Sequence, residues 1–282
     1  MADESRAPSF WLRYLRNLGA VIGVAMVAFL VLVAATAPFA ATHPPLTTAV
    51  APPLRPPAAE YPMGTDDLGR DVLSNFLFGA RTSLLVGTAA GITGMLVGLL
   101  VGVVAGYRGG RVDHLLLRVT EAFQVMPIFF MMLVIVSVVG GSIWLTTLVI
   151  GGLSWPRTAR LVRAEVLTLR ELEFVVAGRA LGATELALAA RYVVPNVLPT
   201  AITAGSLEIA NAILLESGLS FLGLGDPKVA SWGMMLNNAR EFLADAWWVA
   251  VFPGAGIGMA VLGFNLVGEG VSDALSPQLV RR

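Results

Sequence analysis

Six long apolar runs, each bounded by charge or proline, constrain this chain more tightly than any other feature. A helix needs roughly 20 apolar residues to cross about 30 Å of hydrocarbon, and only a helix or a closed barrel satisfies its own backbone there. The runs cover approximately 18–37, 84–107, 123–139, 143–155, 198–222 and 247–267. The fourth is short, but it continues helically through the arginines that follow. Composition agrees, since only 13% of the 282 residues are charged, against about 25% in soluble domains. The expectation is an all-α membrane protein with six transmembrane helices.

Basic residues set the orientation. With the N-terminus inside, the inner face receives Arg6, Arg13, Arg16, Arg108, Arg111, Arg118, Arg157, Arg160, Arg163, Arg170, Arg179, Arg191, Arg281 and Arg282. The outer face receives Arg55, Arg70, Arg81, Lys228 and Arg240. The excess predicts both termini in the cytoplasm. The first apolar run is too long for a signal-sequence core, and five spans follow it, so it is read as a retained helix. The preceding "SFWLRYLRN" fits an interfacial anchor or a plain basic flank equally well.

Several chemistries are excluded. Zero net charge gives no support to nucleic-acid binding, and without cysteine there is no disulfide, thiolate metal site or cysteine nucleophile. There is no G-x-x-x-x-G-K-[ST] loop to cradle nucleotide phosphates. His43 and His114 fall on opposite sides of the membrane, and neither G-x-S-x-G nor H-E-x-x-H occurs. The chain is expected to have no catalytic residues, no metal and no cofactor of its own.

The predicted organisation is an N-terminal interfacial segment (1–17), a first transmembrane helix (18–40) and an external proline-rich loop with short helices (41–82). A five-helix core (83–270) and a cytoplasmic tail (271–282) follow. Within the external loop, Thr65 or Asp66 is placed to cap a short helix, and Asp71 to start another amphipathic turn. The carboxylates beside Arg70 fit a capped, ion-paired surface helix better than a metal or phosphate site. Between the fifth and sixth runs, Phe221, Gly223, Gly225 and Trp232 belong either to an external gate or docking surface or to a capped loop. Inside the fifth run, Glu208, Asn211 and Glu216 are costly in hydrocarbon and must face protein or water. Glu208 and Glu216 lie about 80° apart around the helix, broadly on one flank. A proton relay, a hydrophilic path, a helix interface and a broken helix all remain open for them.

One polar stretch interrupts this apolar chain: "EFVVAGRALGATELALAARYVVPN", from Glu173 to Asn196, on the predicted cytoplasmic side. Phe174, Ala177, Gly178 and Leu181 fall at helical spacing and make one apolar face. Gly182 suits the left-handed position that ends a helix, Thr184 suits the cap of a second, and Pro195 ends that second helix. A helix, a tight turn and another helix lying along the membrane surface is the shape implied. A bland interfacial hairpin fits the pattern as well as a docking element does.

That stretch resembles the EAA loop of ABC-importer permeases, most closely the "EYVEAARALGAS...RHILPN" pattern of the peptide and nickel permease family. "MGTDDLGRDVLSNFLFGARTSL", "GLSFLGLGDPKVASWGMML" and "WWVAVFPGAGIGMAVLGFNLVGEGVSDALSP" also match, in the family's order. The first and last are most similar to the second permease subunit of dipeptide and oligopeptide importers. One departure stands out: Val176 occupies the place of the acid that gives the loop its name.

The resemblance implies a type I ABC-importer permease fold in a bacterial inner membrane, carrying half of a path for peptides that opens by alternating access. It implies a heterodimer with a related permease, two ATPase subunits or a fused ATPase that bind the ATP and magnesium, and an external solute-binding protein. The loop spanning 171–196 would couple to the ATPase through Glu173, Ala177, Gly178, Arg179, Gly182, Ala183 and Pro195. A nickel or metal-chelate importer of the same family is the nearest alternative. An ion-coupled secondary transporter using Glu208 and Glu216 is a more distant one.

Overall fold

The computed structural model describes residues 10–275. Arg6, Arg281, Arg282 and the outer parts of both terminal segments lie outside them. Helix α1 (Phe10–Arg16) leads into α2 (Leu18–Ala40), followed by α3 (Val72–Arg108), α4 (Gly110–Val125), α5 (Ile128–Val139) and α6 (Ile143–Leu169). The polar stretch forms α7 (Glu173–Ala180), α8 (Glu185–Leu188) and a π turn (Ala189–Val193) that runs into α9 (Val194–Phe221). Short α10 (Trp232–Ala239) and long α11 (Trp248–Leu275) complete the described chain.

Among the described residues, four helices are long and apolar enough to cross a membrane: α2, α3, the continuous Glu185–Phe221 segment and α11. The third expected span is instead a broken pair, α4 and α5, bent by 79°. Pro127 causes the break, since a residue before proline is driven out of the helical region, and Met126 sits at φ −87°, ψ 136°. The fourth, α6, has 27 residues, but Arg157, Arg160 and Arg163 dilute its apolar character. By length and composition the described residues therefore supply four of the six expected spans, or five if the bent pair is one span.

Small residues decide the packing. A Cβ on Gly98 would lie 2.6 Å from the Thr158 Cβ, and one on Gly102 would lie 2.6 Å from the Ala159 carbonyl. Gly94 faces Ser154 and Gly106 faces Val166, so the register ascends on both helices and α3 runs parallel to α6. Gly91 meets Ile209 while Gly205 meets Met95, which makes α3 and α9 antiparallel. Without a hydrophobic drive between helices in lipid, such close approach supplies the packing energy. Helix α2 is antiparallel to α11, and Asn17 both caps α2 through the Ala20 N–H and donates to Asp273 of α11 at 2.8 Å. The start of α2 and the end of α11 thus lie on the same side of the bundle.

Segment 41–71 contains no helix. The short helix expected at Thr65 or Asp66 does not form; Thr65 pairs with Asp71 in an isolated β-bridge instead. Asp66 closes that turn by accepting from the Arg70 backbone N–H (2.8 Å) and guanidinium (2.6 Å). Asp71 caps α3 through the N–H groups of Leu73 and Ser74, and α3 then continues unbroken into the second expected span. Leu46, Ala49 and Leu54 all adopt positive φ, a strained arrangement fixed by their neighbours.

Candidate functional site

Helices α4, α5, α6 and α9 enclose a cleft of about 570 Å³. Its walls combine the break at Met126 and Pro127 with Gln124, Ser154, Arg157, Glu208 and Asn211. Glu208 is only 5% exposed, yet among the described residues it has no hydrogen-bond partner. Arg157 attracts it electrostatically, but no ion pair joins them. Helix register explains the separation: Arg157 lies roughly 7 Å further along the bundle towards the α7–α8 end. Both charges stand near the midpoints of their helices. Arg157, counted from sequence among the inner-face arginines, therefore belongs to the cleft wall; its position halfway along an arginine-bearing helix was the signal.

Glu216 faces elsewhere. It accepts hydrogen bonds from Ser220 (2.8 Å), Ser83 of α3 (3.2 Å) and Ser217 (3.4 Å), and is 4% exposed. Ser83 in turn accepts from the Trp232 backbone N–H. The expectation that Glu208 and Glu216 share one flank thus fails in its consequence, because an 80° difference is enough to aim them at different neighbours.

The residues singled out after α9 cluster on that serine cage. Gly223 has φ +83° and ends α9, and the Phe221 carbonyl accepts from Asn237 of α10. Gly225 packs against Ser220. Trp232 is fully buried, stacked on Phe76 at 5.7 Å and donating through Nε1 to the Phe76 carbonyl. A smaller pocket nearby, between segment 41–71 and α10, is lined by Asp66, Asp67, Arg70 and Asn238. Burial pushes the Asp66 carboxyl above the usual carboxylate range, while the Arg70 backbone N–H and charge pull it back.

At the opposite end, Gly182 has φ +83°, and Thr184 caps α8 through the Ala187 N–H at 3.3 Å. Most of the predicted apolar face of α7 is turned outward: Phe174 is about half exposed, Ala177 is exposed and Leu181 is 88% exposed, with Val176 about half exposed beside them. Val175 packs inward instead, and a Cβ on Gly178 would lie 2.7 Å from Leu188. Ala177 and Ala183 are exposed, as is Glu173 in the first turn of α7. Pro195 does not end the second helix. It sits in the first turn of α9, where a missing N–H costs nothing, after a π turn in which the Val194 N–H reaches the Ala189 carbonyl. Two residues absent from the sequence reading tie this hairpin to α3: Glu185 accepts from Arg179 (2.9 Å) and from Tyr107 (2.6 Å). Arg170 adds a bond to the Gly106 carbonyl at 2.9 Å.

Residues 98–281 match the binding-protein-dependent transport system inner membrane component family, and residues 5–57 match the N-terminal transmembrane domain of oligopeptide transport permease C. The dipeptide transport system permease protein DppC of Bacillus subtilis is 34% identical over 99% of this chain and 90% of its own length. The oligopeptide permease OppC of the same organism is 34% identical over 98% and 92% respectively. A putative peptide transport system permease of Brucella abortus is 36% identical over 95% and 90%. The chain belongs to the family of binding-protein-dependent transport system inner membrane components.

Proposed function

We propose that this chain is a permease subunit of an ATP-driven importer and forms half of a path for dipeptides or oligopeptides. Near-full-length likeness to permeases named for those substrates carries the reading. The cleft beside the α4–α5 break supplies a matching geometry, because buried charge in a membrane bundle belongs where water or a polar solute reaches it. Glu208 and Asn211 line the path, whereas Glu216 acts at a helix interface.

In this reading the chain crosses a bacterial inner membrane six times, with α4–α5 as one broken pass and α6 as another, and both termini are cytoplasmic. The alternating helix directions and the pairing of α2 with the end of α11 support that arrangement. A related permease, two ATPase subunits or a fused ATPase, and an external binding protein complete the machine, and ATP and magnesium reside in the ATPases. The exposed face of α7 rests on an ATPase. Glu173, Ala177, Gly178, Arg179 and Ala183 form or border that surface, Gly182 fixes its turn, and Pro195 starts the helix that receives the push. Phe221, Gly223, Gly225 and Trp232 organise the external gate.

Reconstitution with those partners in proteoliposomes tests the reading. Peptide uptake is expected to stop on ATP depletion and to survive a protonophore. Uptake of nickel without peptide would replace the substrate, and uptake abolished by the protonophore alone would replace the mechanism.

A further inference from the structure

We infer that the cleft recognises a solute bearing both an ammonium and a carboxylate group, with Glu208 taking the first and Arg157 the second. This deepens the transport reading and rests on it. Two opposite charges line one cavity and are bonded neither to each other nor to any other described side chain. Glu208 is buried, so an unmet carboxylate there is costly, and a charge-assisted hydrogen bond from a solute relieves that cost. The guanidinium of Arg157 is a fork suited to a carboxylate.

Other solute classes leave part of this arrangement unmet. A metal cation would find a single carboxylate on the wall and a guanidinium repelling it. An apolar solute would strand both charges. A zwitterion satisfies both, while Asn211 and Gln124, neither with a side-chain partner, offer amides to the peptide bond between its ends. The aliphatic wall of Leu153, Leu214 and Leu215 then accommodates side chains without selecting among them.

The chain has no cysteine, so a single introduced thiol reports on the cleft. Leu214→Cys in the nucleotide-free complex with cysteine-free partner subunits is labelled by a maleimide, with Met126→Cys as a second reporter on the facing wall. Ala-Ala is expected to protect the thiol at concentrations about ten- to a hundredfold lower than N-acetyl-Ala-Ala or Ala-Ala amide require. Glu208→Gln should erase the penalty for the acetyl cap alone, and Arg157→Gln the penalty for the amide alone. Glu216→Gln should leave the pattern unchanged. Equal protection by free and capped peptides, no protection at either reporter, or variants that shift both caps alike would overturn the inference. ATP-driven peptide uptake alongside any of those results would sink this assignment and leave the transport reading standing. An ATP-hydrolysing complex that moves no peptide would sink the transport reading itself.

Discussion

Glu208 and Glu216 lie on the same helix about two turns apart, and their surroundings differ almost completely. Three serine hydroxyls converge on Glu216 within close-packed α3 and α9, and the backbone of Trp232 is tied in behind one of them. Glu208 opens onto about 570 Å³ of space and is bonded to nothing described. Removing an acceptor that holds several buried donors leaves those donors unmet, whereas removing an unbonded carboxylate from a cleft wall relieves a cost. One carboxylate therefore belongs to the architecture, and in the proposed function the other belongs to the traffic through it.

The largest expected effect follows directly. Glu216→Leu strands the Ser83, Ser217 and Ser220 hydroxyls and should destabilise the complex by about 3–5 kcal/mol, read as a drop in its thermal midpoint and yield. Unchanged stability would break the contrast at its stronger end. Gly98→Leu should cost about 1–3 kcal/mol by driving α3 off α6, measured the same way. It tests whether the frame around both carboxylates depends on close backbone approach. For Gly182→Val, the positive φ predicts a strain of about 1–2 kcal/mol confined to the hairpin. Weaker co-purification of the ATPase with intact membrane helices is the expected result. Glu208→Gln should change stability by less than about 1 kcal/mol while altering transport. A stability loss as large as that of Glu216→Leu would erase the distinction. Arg179→Ala removes a solvent-exposed, screened ion pair, and Glu185 keeps its bond to Tyr107, so the thermal midpoint of the complex should barely move.

Local chemistry was legible in the sequence where a single residue type decides the backbone. Gly182 occupies the left-handed position and Thr184 caps α8 because turn geometry restricts what such sites accept. Which way the apolar face of α7 turns was not legible, for a different reason. Periodicity counts apolar residues, but burial is decided by the neighbours available: Val175 is fully buried, Phe174 meets only the Tyr192 ring at 5.8 Å and stays about half exposed, and Leu181 is 88% exposed. The break at Pro127 carried a readable signal in the proline itself, outweighed by the apolar residues on both sides. Pro195 escaped because the π turn before it lets the helix pass on. The separation of the two glutamates was not legible at all, since an angle around one helix says nothing about which helices stand beside it.

Helix α3 has 37 residues and is fastened at both ends. Its start is capped by Asp71 and shares Ser83 with Glu216, and its end is held by Tyr107 to Glu185 and by Gly106 to Arg170. At ~1.5 Å per residue it measures about 55 Å, well beyond the hydrocarbon thickness. A rod of that length neither stretches nor shortens appreciably. One continuous helix therefore spans the distance between the hairpin and the serine cage, with the glycines against α6 seated between them.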